Sequence, residues 1–76
     1  MTFTQVNSKP SLEGKILFNV KRIMKEKKMR QYQLAEDMGF SQSMLSALLK
    51  RKKHLNVRTV DHFCKALDVE VFELIV

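Results

Sequence analysis

Three small polar side chains and a run of cations carry the most specific chemistry in this sequence. Gln42, Ser43 and Ser46 are uncharged hydrogen-bonding groups. The run Lys50-Arg51-Lys52-Lys53 follows them, with His54 after it. A glutamine amide offers a paired donor and acceptor that matches N6 and N7 of adenine in the major groove. Serine hydroxyls serve base edges or phosphate oxygens, and lysine and arginine hold the neighbouring phosphates. The same residues also admit a plain reading, a solvated helix face followed by solvated charge. Which reading holds depends on the elements that carry them.

Those elements are two short helices. Gln31 to Met38 places Leu34, Ala35 and Met38 on one face, and Gly39 follows where a left-handed helix terminus is easily adopted by glycine. Ser41 is positioned to cap a second helix running to about Lys50. Leu45 and Leu48 form its inward pair, with Leu49 at the edge. Gln42, Ser43, Ser46, Ala47 and Lys50 are thereby left outside, small or hydrogen-bonding groups that fit a major groove. Two short helices joined by a glycine turn, the second polar at its start, form a helix-turn-helix. Ala35 suits the close crossing of the pair. The N-termini of both helices present free amides and the positive end of the helix dipole, which favour phosphate oxygens.

The remaining chain supports this pair. Ser11 caps a first helix whose stripe is Ile16, Leu17, Val20, Ile23 and Met24, with Lys21, Arg22, Lys25, Lys27 and Lys28 beside or opposite it. Met29 packs at the turn. Asn56 caps a fourth helix with Val57, Val60, Phe63, Cys64 and Leu67 inward, ended by Asp68; it is also placed among the DNA contacts with the basic run. Val69 to Val76, carrying Val71, Phe72, Leu74 and Ile75, reads as a last short helix, with a terminal strand as the alternative for so short an apolar run. Residues 1–10, closed by Pro10 and carrying Phe3 and Val6, read as a flexible arm or a docked extended segment. The expectation is an all-α, compact five-helix domain over residues 11–76 with an N-terminal arm over 1–10.

Charge gives this domain a direction. The net charge is +6. Residues 1–58 hold thirteen Lys/Arg against four Asp/Glu, a balance of +9, whereas residues 59–76 hold Lys65 against Asp61, Asp68, Glu70 and Glu73, a balance of −3. The basic part suits a polyanion and the acidic end does not. The single cysteine precludes an intrachain disulfide, and neither a signal-peptide pattern nor a long apolar run is visible. A reducing, cytoplasmic setting is expected, with no membrane partner.

Other chemistry finds little support. Cys64 lies on the fourth helix's apolar stripe without a CxxC or a histidine at ligand spacing, so it reads as a core residue. His62 points to a different face of that helix. His54, in the basic loop, suits a phosphate contact. No nucleophile–base pair, phosphate-binding glycine loop or carboxylate cluster is present. The expectation is a non-enzyme with no cofactor, metal or small-molecule ligand.

The segments Gln31-Tyr32-Gln33-Leu34-Ala35-Glu36-Asp37-Met38-Gly39, Ser41-Gln42-Ser43-Met44-Leu45-Ser46 and Val57 through Val69 resemble the lambda-repressor and Cro-like (XRE-type) helix-turn-helix family. The resemblance runs from about Ile16 to Leu74. It implies a five-helix domain, commonly dimeric on a pseudo-palindromic operator. It also implies that Gln31 contacts the DNA backbone and braces Gln42, while Gln42, Ser43 and Ser46 approach bases. The chain departs from the family pattern at Arg30, where a Ser or Thr cap is common, and at Lys28, often glycine. It departs again at Leu49-Lys50-Arg51, where Glu-Asn-Gly is frequent.

The expected function is therefore a sequence-specific transcriptional regulator of double-stranded DNA, a repressor in the simplest case. A homodimer is expected through the apolar C-terminal residues Phe72, Leu74 and Ile75. The alternatives are an antitoxin that also binds a toxin protein, and a helical scaffold that binds nucleic acid without sequence preference.

Overall fold

The computed structural model describes residues 11–76, and the arm expected over residues 1–10 lies outside them. Five helices follow in order: α1 Leu12–Glu26, α2 Gln31–Met38, α3 Gln42–Leu49, α4 Val57–Leu67 and α5 Phe72–Ile75. No strand occurs among the described residues, so the short apolar run at the end is helical. None of these helices is long and apolar enough to cross a membrane.

The caps expected for α1, α3 and α4 are formed. Ser11 Oγ accepts from the Gly14 amide at 2.9 Å, Ser41 Oγ from Met44 at 3.1 Å and Asn56 Oδ1 from Thr59 at 2.8 Å. Arg30 has no side-chain acceptor to offer α2. Gln33 closes that end instead, its Oε1 accepting from the Arg30 amide at 2.8 Å. This is the returning half of a capping box without its usual Ser or Thr.

The first four helices all end in the same way. Lys28, Gly39, Arg51 and Asp68 take left-handed conformations with φ of 56°, 75°, 63° and 58°. The next residue's amide in each case reaches back five residues: Met29 to Met24, Phe40 to Ala35, Lys52 to Ala47 and Val69 to Cys64, at 2.8–3.0 Å. These are Schellman closures, which satisfy carbonyls at the helix end. Lys28 and Arg51 thus adopt a glycine-like torsion at two places where the resembled family often has glycine. Met29, Phe40 and Val69 also pack against the core, as this motif favours. The corresponding residue after α3 is Lys52, which is exposed.

One core draws on all five helices, with α1 packed on α4 and α5 and α2 packed on α3 and α4. Val20, Leu34, Leu45, Phe63 and Leu74 are completely buried, and Ala35 is 1% exposed at the α2–α3 crossing. Two apolar assignments need correction. Val57 is 87% exposed, because α4 is buried around Phe63 and Leu67 while Val60 is only half-buried; Thr59 takes the inward place in the first turn. Leu74 belongs to the domain's own core at 0% exposure, so it has no surface for a dimer contact. Asn19, within the α1 stripe, is buried and donates to the Leu74 carbonyl at 2.7 Å and to Val76 at 3.2 Å. A helix as short as α5 leaves carbonyls without intrahelical partners, and Asn19 supplies a donor to them.

Candidate nucleic-acid interface

The site is built on α3 and the starts of two helices. Leu45, Leu48 and Leu49 are buried, and their fixed position turns Gln42, Ser43, Ser46 and Ala47 toward the outside. These four residues, together with Gln31 at the start of α2 and Lys50 and Lys52 beyond α3, line one shallow open recess. The Gly39 turn and the Ser41 cap set the angle at which α3 leaves α2. Within α3 the first carbonyl-directed amide is that of Leu45, to Ser41 at 3.1 Å, and Met44 donates to the cap hydroxyl. The amides of Gln42 and Ser43 precede this ladder at the positive end of the helix, a position suited to a phosphate oxygen.

The residues singled out from the sequence divide into two groups. Gln31, Gln42, Ser43, Ser46, Ala47, Lys50 and Lys52 come together in the recess. Lys53 is exposed on the following loop. Arg51 turns away: its Nη2 donates to Ser11 Oγ at 2.9 Å, across the start of α1. Asn56 is occupied as the α4 cap, accepting from both the Thr59 amide and its hydroxyl. Its groove is another one, lined also by Leu12, Val57 and Val71.

Two further cations belong near the recess. Lys21 and Lys25 of α1 line an adjoining depression with Gln31, Ser46 and Lys50. Their positions beside or opposite the α1 apolar stripe were legible in the sequence. Their closeness to α3 was not, since it depends on how α1 crosses the helix pair.

The loop behind the recess is held by polar contacts. Glu13 Oε2 accepts from the Leu55 amide at 2.7 Å, and His54 Nδ1 lies 3.3 Å from the same oxygen. The Leu55 amide and then the His54 ring hold the Glu13 carboxyl below its ordinary value. At the far end, burial pushes the Cys64 thiol up, and the carboxylates of Asp61, Glu70 and Glu73 push it further. A thiol kept protonated is a poor nucleophile. His62 packs edge-on against Phe40 with ring centroids 5.7 Å apart.

A family model for the Cro/C1-type HTH DNA-binding domain matches residues 19–76, a span that includes all of α2, α3 and the recess. Comparisons with curated proteins and with solved structures returned no match.

Proposed function

The chain belongs to the Cro/C1-type helix-turn-helix DNA-binding family, and from that premise we propose that it is a sequence-specific repressor acting in the cytoplasm. In this reading α3 enters the major groove. Gln42 reads a base edge, Ser43 and Ser46 contact bases or phosphates, and Gln31 holds the backbone and braces Gln42. Lys50, Lys52 and Lys53 neutralise flanking phosphates. The observation that carries it is the convergence of Gln31, Gln42, Ser43, Ser46, Ala47, Lys50 and Lys52 on one open surface. A scaffold that bound DNA by charge alone would need no cluster of neutral hydrogen-bonding groups at the front of a rigid helix.

The protein binds a pseudo-palindromic operator as a homodimer in this reading, with one α3 per major groove and roughly 34 Å between them. Phe72 and Ile75, 59% and 41% exposed, support a self-association surface at the α5 end. Selection of bound sites from a random duplex pool tests both parts. A symmetric consensus is expected. A pool without any enriched sequence would overturn specific reading, and a single unrepeated half-site would overturn the dimer.

A further inference from the structure

The closure after α3 differs from the other three in a way that concerns DNA binding. Met29, Phe40 and Val69 pin their turns to the core, whereas Lys52 leaves the α3 turn without an apolar anchor. The loop's far end packs through Leu55 against the core, and polar ties hold the loop to the first turn of α1. Ser11 Oγ accepts from Arg51 Nη2 at 2.9 Å, and Glu13 Oε2 accepts from the Leu55 amide at 2.7 Å. These two ties bracket Lys52 and Lys53. Gly14 leaves room for the first of them, since a Cβ there would lie 3.1 Å from Arg51 Nη1. Ser11 and Glu13 both lie outside the 19–76 span that matches the family.

We propose that Ser11 and Glu13 are positioning residues for DNA binding, holding the basic loop 50–53 so that its lysines meet the phosphates beside α3. The inference rests on the recess being the DNA surface. It has an unusual consequence for Glu13. By charge alone a carboxylate near this loop repels DNA, so removing it should tighten binding. As a tether it improves binding, so removing its acceptor oxygen should weaken it.

Glu13→Gln and Glu13→Ala separate these effects, because both lose the charge and only glutamine keeps an oxygen for the Leu55 amide. Dissociation constants are measured by fluorescence anisotropy with a labelled mixed-sequence duplex across a salt series, alongside circular dichroism melts. Glu13→Ala is expected to bind about three- to tenfold more weakly than Glu13→Gln. Its log–log salt slope should be shallower by about 0.9 for each lysine released from a phosphate. Ser11→Ala, which leaves every charge in place, is expected to show the same shallower slope against the unaltered protein. It also supplies the test should Glu13→Ala not fold. Equal affinities and slopes for the Glu13 pair, or an unchanged slope for Ser11→Ala, would overturn the proposal. Failure of the unaltered protein to bind the duplex would instead overturn the recess as the DNA surface.

Discussion

At the scale of single residues the proposed function gives Gln42 a reading role and Lys52 an anchoring one. Gln42 presents an amide pair and Lys52 a mobile point charge, and these groups fail differently when removed. Gln42→Ala is expected to cost about 1–3 kcal/mol on the selected operator and to relax preference at one base position. Lys52→Ala should weaken all duplexes alike and flatten the salt dependence. Identical behaviour of the two variants in competition binding would show that the division is wrong. Glu13 adds a pH dependence to stability. The Leu55 amide, followed by His54, favours its ionised form, so its folded pKa lies below the ordinary 4.5. Its contribution is therefore complete above that value and lost as pH falls through the lower, folded one. In urea titrations, the stability advantage over Glu13→Gln should be present near neutrality and vanish in acid. Persistence of the full advantage at low pH would contradict the tie to Leu55.

Among the helices, the repeated Schellman closure is the main organising device. Only one of its four left-handed positions is a glycine, Gly39. A residue with a Cβ is strained there by about 1–2 kcal/mol, partly offset because glycine loses more chain entropy on folding. Lys28→Gly should therefore raise stability by about 0.5–1 kcal/mol and the melting temperature by about 2–8 °C. A lowered melting temperature would mean that Lys28 makes a compensating contact. Arg51→Gly should gain less, because it also loses the bond to Ser11. Arg30, which breaks the usual capping pattern, proves unimportant for closure because Gln33 supplies the acceptor. A Gln three residues after the cap position is itself a sequence signal for a helix start.

For the whole molecule, the surface around the recess and the surface around Cys64 differ in charge. The recess lies with Lys21, Lys25, Lys50 and Lys52, while Asp61, Asp68 and Glu70 gather around Cys64 on the other side of the sequence's charge division. No α5 residue lines the recess, so the proposed contact through Phe72 and Ile75 would leave it open on each subunit. The clean test uses exposed positions, since truncating α5 would also remove the buried Leu74 and the carbonyl held by Asn19. Phe72→Lys with Ile75→Lys is expected to preserve the helical signal while converting a sedimenting dimer to monomer. A dimer that survives both changes would place the contact elsewhere.

Much of this protein was legible before any tertiary structure. Local chain chemistry sets the caps at Ser11, Ser41 and Asn56 and the left-handed turn at Gly39, because each depends on residues within one helical turn. The same holds for the burial of Leu34, Ala35 and Leu45, whose periodicity orients Gln42, Ser43 and Ser46 outward. Contacts between distant segments were decided only by the fold. Leu74 and Asn19 are 55 residues apart and meet because α5 returns to α1. Arg51 belongs to a basic run in the sequence, yet its left-handed backbone and the space beside Gly14 turn it toward Ser11. Lys21 and Lys25 come near the recess through the crossing of α1, and Val57 stays outside because α4 is buried around Phe63 and Leu67. Periodicity reports which face of a helix is apolar. It does not report how far along the helix the core extends, or which charged neighbour a second helix brings within reach.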